Sequence, residues 1–524
     1  MPSCIDSLAR HELKRAFGLF DYAGPRRLVI VTRDRLSSWL SHDGLVLRLA
    51  PAFAFLLLGL LGLTLHPLVW GDEALLNDPA LQLIREGHFR SDVLKCFANY
   101  ERFYFWQPPG LGLITSSSYL LFGFGIWQTR LPGVLFGALV VGLYQHIAAS
   151  TFRSPRAGFF AALLVMVWPP FLTTARAARM DTPCLAFLAI ATILLLSADR
   201  TATPIWRSML AGLAAGLAGI MHSAALPWLL GLLSVQAVFF DRKLIRLIWF
   251  GLAAVLPASV WFGSAVRFPE EFRKQFLFVV ANRTSTGSLP MRFVEEVSRC
   301  FTDYVWTPFF FVAVGLTAFH FWQWRRDSGE PVRRLLVLIA TTFFGVALLA
   351  GKDSGFYNLY YTLPLLIFVA GVTDRCLTAS SDQHLLSRAT ALCGLLLFVN
   401  CSVKSCLPIA AAITVQREAR AYDQAFAPLS CLLNRGDQVW GAGEAWYACV
   451  QAGARLDIAP TNVPIKGSSV PDPYRHRFVV VAGGIAPPSS GFTRLAVVDR
   501  PLPVILGWTF SNAPYHFEIW KSDQ

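Results

Sequence analysis

A long apolar run without a single charged residue constrains this chain more than any other feature. Residues 53–63 read FAFLLLGLLGL, and comparable runs recur throughout residues 46–409. A soluble domain carries about 25% charged residues, whereas this chain has 15% charged and 54% hydrophobic residues. Such runs have no aqueous environment in which to fold, so the chain is predicted to be a polytopic membrane protein.

The predicted fold class is all-α, with about eleven transmembrane helices and a small C-terminal α/β domain. A transmembrane helix needs about 20 mostly apolar residues. The segments that approach this requirement are 47–69, 131–150, 157–174, 183–198, 208–221, 223–240, 247–266, 306–324, 335–350, 358–373 and 389–408.

A further apolar segment, 110–126, decides which side of the membrane each later loop faces. It follows a proline pair, is short, and contains three consecutive serines and four glycines. If it does not cross, Lys and Arg are more than twice as dense in the loops on the N-terminal side as in the others, as the positive-inside rule requires. We therefore predict a re-entrant or interfacial segment, with the N-terminus inside and the C-terminus outside.

Composition divides the chain into three expected domains. Residues 1–45 form a basic cytoplasmic tail with no signal-peptide cleavage pattern. Residues 46–409 form the transmembrane module, whose first outer loop is 70–130. Residues 410–524 are richer in Asp, Asn, Pro and Gly, and they are predicted to form an extracytoplasmic α/β domain.

The predicted α/β domain contains a helical pattern followed by short β-rich runs. The helix is expected at 416–433, and the strands are expected at 437–441, 478–482, 494–499 and 504–508. Cys431 and Cys449 lie in this domain, and an oxidising compartment would allow them either to pair or to remain free thiols.

The net charge of +13 does not indicate nucleic-acid binding. Basic residues collect in the cytoplasmic loops of membrane proteins, and no motif with base-reading or stacking geometry accompanies them. The ten cysteines include no CxxC pair and no Cys/His cluster at zinc spacing, so no metal site is implied.

Ionisable residues at the ends of outer loops are the candidate site, since charge beside hydrocarbon is costly. Asp72 and Glu73 follow the first span in WGDEALLND; the alternative for this acidic pair is a helix N-cap. The segment ARAARMDTP contains Arg176, Arg179 and Asp181 in a very short outer loop, for which a capped helix start at the aspartate is the alternative.

Two more outer segments complete the candidate site. Gln107 lies in FYFWQPPGLGLI, where aromatic residues precede the segment 110–126. The alternative to a functional role for this stretch is an interfacial aromatic belt. GKDSGFYNLYYTLP contains Lys352 and the tyrosines Tyr357, Tyr360 and Tyr361, with an interfacial anchor as the alternative. Arg130 is a further outer cation.

Carboxylates and cations at one water–lipid boundary suit transfer of a sugar from a lipid phosphate. Arg binds a phosphate through a planar fork and Lys as a point charge, and such cations stabilise the charge that develops on the leaving phosphate. The acceptor hydroxyl needs a carboxylate to take its proton. One base and one displacement would invert the anomeric carbon.

The order of these motifs resembles the membrane module of the C-type-fold glycosyltransferases. The segments are WGDEALLND, WQPPGLGLI, TRLPGVLFGALVVGLY, RSPRAGFFAALLVMVWPPFLTTARAARMDTP and KDSGFYNLYYTLPLL. They are most similar to the branch of protein O-mannosyltransferases, lipid A aminoarabinose transferase and rhizobial lipopolysaccharide galacturonosyltransferases. The resemblance covers about 70–200 and 350–370.

The resemblance implies a polyprenyl-phosphate sugar donor and an active site on the periplasmic face of the inner membrane. The acceptor would be a lipid, a glycan or a protein. Asp72 matches the base, with Glu73 beside it, and Asp181 matches the acidic residue of the second outer loop. Arg130 matches a lipid-phosphate contact.

The chain departs from the lipid A transferases at two positions. Gln107 and His222 stand where those enzymes have lysines. The interpretation is that Arg176, Arg179 or Lys352 binds the donor phosphate instead. We place the glutamine, the histidine and the three late tyrosines in the substrate pocket.

Alternatives remain at the level of function. A transporter or flippase would show internal repeats, which are not seen in the sequence, and a non-catalytic assembly or receptor protein would tolerate Asp72→Asn. Asp72, Glu73 and Asp181 have the oxygen ligands that a divalent cation prefers. However, the mannosyl and aminoarabinosyl relatives generally use none, so no cofactor is expected to be required.

Overall fold

The apolar runs of the sequence form helices, because backbone groups removed from water must be paired within their own segment. The computed structural model describes residues 42–95, 98–197, 204–241, 243–277, 280, 288–302, 307–325, 328–349, 357–378, 384–458, 475–482, 491–501 and 515–523. Three predicted features lie outside these ranges: most of the cytoplasmic tail, Lys352, and the strand expected at 504–508.

The described helices, labelled in chain order, cover the membrane module and the start of the C-terminal region. They are α1 His42–Leu60, α2 Gly71–Glu86, α3 Gly110–Phe122, α4 Ile126–Phe152, α5 Pro155–Met166, α6 Pro169–Ala175, α7 Asp181–Leu196, α8 Ile205–Met221, α9 Leu226–Phe239, α10 Lys243–Arg267, α11 Pro269–Phe272, α12 Leu289–Thr302, α13 Thr307–Trp324, α14 Glu330–Leu349, α15 Leu359–Thr378, α16 His384–Ile413, α17 Arg417–Arg420, α18 Tyr422–Leu432 and α19 Trp446–Ala452.

Each predicted span overlaps a helix, and the prediction of a helical, multi-pass membrane protein is confirmed. By length and composition, α4, α10, α14, α15 and α16 could each cross a membrane. Helices α5 and α6 qualify together as one bent span, whereas the other apolar helices are shorter. The count of eleven spans and their orientation stay predictions.

Two predicted spans have different ends or shapes. The span expected at 47–69 ends at Leu60, and a series of turns leads from there to Trp70. The span expected at 157–174 bends by 65° between α5 and α6. Pro169 and Pro170 explain the bend, because proline lacks an N–H and clashes with the preceding helical turn.

The segment 110–126 contains α3, and the first and last residues of this helix both lie at one end of the helical bundle. A Cβ added to Gly110 would collide with Met221, at the end of α8. Just beyond the other end of α3, the ring of Phe124 packs against Tyr447 of the C-terminal region, with ring centroids 5.6 Å apart. This is the arrangement expected of a segment that does not cross, while the side of the membrane stays a prediction.

The loops predicted to face the cytoplasm also lie close to one another in the structure. A cavity of about 550 Å³ is lined by Thr151–Arg156, by Gly329, Pro331 and Val332, and by Gly371, Asp374, Arg375 and Thr378 of α15. The charge-based topology assigned each of these segments, at or beside a loop, to the same face. Segments that the charges assign to one face therefore line a common cavity, and the orientation of that face stays a prediction.

The C-terminal region contains a five-stranded mixed sheet, which confirms the predicted α/β character. Its strands are β1 Gln438–Gly441, β2 Arg455–Ile458, β3 Phe478–Ala482, β4 Phe492–Arg500 and β5 Tyr515–Ser522, in the order β2-β1-β3-β5-β4. Strands β2 and β3 are parallel to β1, and β5 is antiparallel to β3 and β4. Strands β2 and β5 were not predicted.

The structure corrects the helix expected in this region and shows the state of its two cysteines. The helix expected at 416–433 is divided into α17 and α18, with Ala421 extended between them. Cys431 and Cys449 are both free thiols, the first exposed and the second buried. A side chain facing solvent and one inside the core do not form a disulfide in this arrangement.

The C-terminal region shares one hydrophobic core with the first outer loop. Leu81, Val93 and Tyr104 of the loop belong to the same buried cluster as Trp446 and Phe517. A second, larger cluster fills the helical bundle. Because apolar burial holds the loop and the sheet together, the C-terminal region is in a position to shape any site formed by that loop.

Candidate functional site

Helix α2 places two adjacent carboxylates in opposite surroundings. The Asp72 side chain is 47% exposed, whereas the Glu73 side chain is fully buried. The N-cap of α2 is Trp70, which makes no side-chain capping bond, so the interpretation of Asp72 as the N-cap is wrong. Asp72 lies in the first helical turn with its carboxylate open to a ligand.

Glu73 and Arg130 form a buried ion pair that fixes the first outer loop. Arg130 donates to the two carboxylate oxygens of Glu73 at 2.5 and 3.2 Å, and the Tyr447 hydroxyl donates to the same carboxylate at 3.0 Å. Arg130 also donates to the carbonyl oxygens of Leu63 and Pro67 at 2.7 and 2.8 Å. This geometry indicates a structural role for the pair, while the catalytic role of Glu73 and the phosphate-binding role of Arg130 stay predictions.

Arg176, also predicted to bind the donor phosphate, has extensive backbone partners in the structure. Its side chain is buried and, within the described part of the chain, donates only to backbone carbonyls, at 2.7–3.1 Å. Those carbonyls belong to Leu58, Gly59, Leu61, Gly62 and His66. A cation at the carbonyl end of a helix satisfies unpaired acceptors and complements the helix dipole, so Arg176 caps α1.

Arg179 lies between the two other acidic residues of the predicted site, Asp72 and Asp181. Its Nε donates to Oδ2 of Asp181 at 2.9 Å, and its Nη1 lies 3.8 Å from Oδ2 of Asp72. The guanidinium lies over the ring of Trp70, 5.6 Å from the centroid. Asp181 is fully buried and is the first residue of α7, whose N-cap is Met180. The predicted Asp72, Arg179 and Asp181 therefore form one cluster.

His222 and two of the predicted tyrosines extend this cluster. Nδ1 of His222 lies 2.9 Å from the Tyr360 hydroxyl and 3.8 Å from Oδ1 of Asp181. The Tyr360 hydroxyl also donates to that carboxylate at 3.4 Å. The rings of His222 and Tyr357 are stacked, with centroids 5.7 Å apart. These side chains form a polar, aromatic wall behind Asp181.

Two other predicted pocket residues are placed differently. The Tyr361 hydroxyl donates to Oε1 of Glu296 at 2.9 Å, because successive residues of a helix point in different directions. Gln107 is buried, and its Oε1 has no hydrogen-bond partner among the described residues. Neither is shown in contact with the acidic cluster. Lys352 lies outside the described residues, so its predicted role stays a prediction.

Asn77 is a positioning residue that the sequence analysis missed. Its Nδ2 donates to the carbonyl oxygen of Ala178 at 3.2 Å, and its Oδ1 accepts from Thr115 at 3.0 Å. Ala178 has a positive φ of 49°, a conformation that costs energy for a residue with a Cβ. This bridge holds α2, α3 and the loop of Arg179 together. An asparagine inside a helix was the available signal, but its partners are distant in sequence.

Glu444 is a second missed residue, supplied by the C-terminal region. It lies in a short 3₁₀ turn, Gly443–Ala445, whose backbone touches that of Gly71. Burial raises the pKa of the Glu444 carboxyl, and the nearby charges of Asp72 and Glu73 raise it further, while hydrogen bonds from its own N–H and the Gly71 N–H act against the rise. A third carboxyl group therefore lies beside the acidic pair.

The arrangement of these acidic groups does not fit a divalent cation. Among the described residues, no three His, Cys, Asp or Glu side chains are placed to hold a metal ion. Arg179 already lies between Asp72 and Asp181, and Arg130 neutralises Glu73. A guanidinium thus occupies the position between carboxylates that a cation with oxygen ligands would need.

Comparison with known proteins agrees with the resemblance noted in the sequence. Residues 106–262 match the family model described as dolichyl-phosphate-mannose-protein mannosyltransferase. No curated protein sequence matches the chain.

Two solved structures share the fold over nearly the whole chain. The structure of ArnT from Cupriavidus metallidurans bound to undecaprenyl phosphate is 16% identical, with a TM-score of 0.60, and covers 92% of this chain and 98% of its own. The apo structure of the same protein is also 16% identical, with a TM-score of 0.61 and coverages of 91% and 97%. The chain therefore has the fold of these structures, and the similarity of residues 106–262 to the mannosyltransferase family indicates a membrane glycosyltransferase of the C-type (GT-C) fold.

Proposed function

We propose that this glycosyltransferase moves a sugar from a polyprenyl phosphate to an acceptor hydroxyl or phosphate, with Asp72 as the general base. The observation that carries the proposal is the half-exposed Asp72 carboxylate, 3.8 Å from a guanidinium that also binds the buried Asp181. In this proposal Asp72 is the base, and Arg179 beside it is the cation that binds the phosphate. ArnT, which shares the fold, is bound to undecaprenyl phosphate.

The reaction is a single displacement at the anomeric carbon. Asp72 takes the proton of the acceptor hydroxyl while the hydroxyl oxygen forms the new glycosidic bond. The bond between the anomeric carbon and the donor phosphate oxygen breaks, and the phosphate leaves with the electron pair. Arg179 stabilises the charge that develops on that phosphate. One displacement inverts the configuration at the anomeric carbon.

Asp181 and His222 position the cation in this proposal. Asp181 is fully buried and holds the Arg179 side chain through Nε, which leaves the outer edge of the guanidinium directed toward Asp72. His222 and Tyr360 hold Asp181 in turn. Because a buried aspartate with these partners is not accessible to an acceptor, Asp72 is favoured as the base. Lys352 is proposed as a second phosphate ligand.

The proposed setting is the periplasmic face of the inner membrane. The density of Lys and Arg in the loops supports this orientation, and the site lies at the end of the bundle that carries the C-terminal sheet. The proposed acceptors are lipid A or another envelope lipid or glycan, or a protein. No divalent cation or other cofactor is proposed as a requirement. A transporter gains no support from the site, whose acidic residues lie in loops and first helical turns.

Proteoliposomes supply the test of this function. The donors would be undecaprenyl phosphate carrying mannose, aminoarabinose or galacturonic acid, with lipid A as acceptor in one arm and a hydroxyl-bearing peptide in another. Release of undecaprenyl phosphate, the product common to all three donors, is the readout. We expect release with at least one pair, and expect it to fall to background in the Asp72→Asn variant. Release from none of them, or equal release by that variant, would contradict the proposal.

A further inference from the structure

The cavity of about 550 Å³ at the end of α4 lies far from the acidic cluster. Arg130 is near the start of α4 and Thr151 is near its end. At a helical rise of about 1.5 Å per residue, roughly 30 Å separates the two. A volume of this size is typical of a site that binds a small molecule. None of the described residues that line the cavity belongs to the proposed active site.

The described lining of this cavity has an excess of positive charge. It contains three arginines and one carboxylate, namely Arg153, Arg156, Arg375 and Asp374. Oδ2 of Asp374 accepts a hydrogen bond from Ser154 at 2.6 Å, so the carboxylate is already engaged with the protein. Arg153 and Arg156 are exposed, and neither forms an ion pair within the described residues. A guanidinium in this state is suited to phosphate oxygens, which its planar fork matches.

The first turn of α5 adds backbone groups that favour an anion. Ser154 is the N-cap, and its hydroxyl accepts the N–H of Ala157 at 3.3 Å. The other N–H groups of a first turn have no partner inside the helix, and the helix dipole places partial positive charge there. Both features suit a helix N-terminus to a phosphate group. Arg153 and Arg156 lie on either side of the N-cap, so backbone and side-chain donors line the same cavity.

A buried hydroxyl of the lining lacks a protein partner. Thr151 is 4% exposed, and its Oγ1 has no hydrogen-bond partner among the described residues. Burial of a hydroxyl without a partner is unfavourable, and a ligand that accepts from it would remove that cost. The neighbouring Arg153 has a positive φ of 53°, and the usual residue in this conformation after a helix is glycine. The chain thus has an arginine at a position where the backbone favours glycine.

We propose that this cavity is a second ligand site, which binds a phosphate group. Arg153 and Arg156 bind the phosphate oxygens, the first turn of α5 donates from its backbone, and the Thr151 hydroxyl donates to the ligand. The phosphate belongs to an anionic lipid headgroup or to a soluble phosphorylated molecule, since both present the same oxygens to these donors. The inference is independent of the proposed role of Asp72, because the two sites share no residue.

Two variants remove the proposed donors and preserve the fold. The first combines Arg153→Gly, which suits the positive φ, with Arg156→Gln at an exposed position. It should weaken phosphate binding by about 10- to 100-fold, the loss of a charge-assisted contact. The second, Thr151→Val, keeps the shape of the side chain and removes the hydroxyl. It should weaken binding by about threefold to tenfold, while stability without ligand stays the same or rises, because an unpaired buried group is removed.

The experiment uses the full chain in dodecyl maltoside and has two arms. In the lipid arm, native mass spectrometry counts bound dioleoyl phosphatidylglycerol, with the zwitterionic dioleoyl phosphatidylethanolamine as the comparison. In the soluble arm, calorimetry measures binding of glycerol phosphate, which carries the phosphate group without acyl chains. Arg388→Gln is the matched control, since Arg388 is an exposed arginine of α16 outside the cavity lining. It should leave the binding of both probes unchanged.

The two arms distinguish the sources of the phosphate. Loss of phosphatidylglycerol from both cavity variants supports a lipid ligand, and loss of glycerol phosphate binding from both supports a soluble one. Wild-type binding of both probes by the double arginine variant would overturn the proposal. An equal loss in Arg388→Gln would overturn it too, because the attraction would then belong to the basic surface as a whole. Should the double variant not fold, Thr151→Val decides between the same outcomes.

Discussion

At the scale of single residues, the charges of the outer loops divide into one accessible group and several buried ones. Asp72 is half-exposed beside Arg179, whereas Glu73, Arg130 and Arg176 are buried with protein partners. Adjacent acidic residues therefore have different roles. Exposure of the carboxylate, rather than its place in an acidic pair, marks the candidate base.

Asp72→Asn should abolish turnover without unfolding the protein. The amide keeps the shape of the side chain but cannot accept a proton, so turnover should fall by about 10²–10⁴. The fold should persist, because the side chain is 47% exposed and does not cap the helix. Turnover is measured by release of undecaprenyl phosphate, and folding by thermal unfolding in detergent. A variant with wild-type turnover would contradict the assignment.

Glu73→Gln is the matched change at the neighbouring position and should give the opposite result. Arg130 would lose its buried charged partner, and breaking such a pair costs about 3–5 kcal/mol. The free energy of unfolding should therefore fall by about that amount, with turnover per folded molecule reduced less than in Asp72→Asn. Unchanged stability would show that the pair is less important than its burial suggests.

The sequence identified these charges but not their partners. Glu73 and Arg130 are 57 residues apart, and Glu73 and Tyr447 are 374 apart, so spacing along the chain does not reveal either contact. The Asp72, Arg179 and Asp181 cluster could be predicted because the topology places all three at one membrane face. The three-dimensional structure was needed to show which of the arginines lies beside the exposed Asp72 carboxylate.

At the scale of helices and strands, buried side chains determine where elements end. Arg176 caps α1 through carbonyls of residues 58–66. The hydropathy of residues 61–69 predicts a longer span, since local apolarity does not reveal a distant cap. Similarly, β5 was missed although Tyr515, Phe517 and Ile519 alternate as buried residues, because the charged residues between them lower the hydropathy of the whole segment.

Arg176→Lys should destabilise the protein rather than weaken donor binding. A single ammonium group cannot reach the carbonyls that the planar guanidinium spans, and each buried acceptor left unpaired costs about 1–3 kcal/mol. We expect a loss of at least about 3 kcal/mol in unfolding free energy, since several acceptors are affected. Thermal unfolding checks this. Wild-type stability combined with weakened donor binding would restore the original prediction for this residue.

Arg179→Ala should weaken donor binding rather than destabilise the protein. Loss of a charge-assisted contact worth about 1.5–3 kcal/mol raises the Kd for undecaprenyl phosphate by about 10- to 100-fold. The fold should be affected less than in Arg176→Lys, because Asp181 retains Tyr360 as a hydrogen-bond donor. Binding of undecaprenyl phosphate, followed by tryptophan fluorescence, measures the change. Equal affinity in the variant and the wild type would place the donor phosphate elsewhere.

At the scale of the whole molecule, the outer loop and the C-terminal sheet behave as one unit. They share a hydrophobic cluster, and the Tyr447 hydroxyl of the C-terminal region donates to the Glu73 carboxylate of the loop. The sequence predicted a separate α/β domain from its composition. It did not predict this union, because contacts between segments more than 370 residues apart leave no local pattern.

The pH dependence of stability should reflect this union. Burial raises the pKa of Glu444 above its ordinary value of 4.5, with Asp72 and Glu73 as the facing charges. A carboxyl group with a raised folded pKa contributes stability that is fully present below its unfolded pKa and is lost as pH rises through the folded pKa. Glu444→Gln removes this titration, so its unfolding free energy should depend less on pH above 4.5. An unchanged pH profile of thermal unfolding would contradict this expectation.

The orientation of the molecule supplies the last prediction. The cavity lined by Thr151–Arg156 and the acidic cluster around Asp72 lie among two separate sets of loops. The charge bias predicts that the cavity is on the cytoplasmic side. Single cysteines, introduced after replacement of the ten native cysteines, should therefore react differently with a membrane-impermeant thiol reagent applied from the periplasm. Cysteines at 85–95 and at the C-terminus should react in intact cells, and cysteines at 152–156 and 328–334 only after permeabilisation. Labelling of the C-terminus only after permeabilisation would reverse the orientation and place the proposed active site on the cytoplasmic face, where the periplasmic acceptors proposed here are absent.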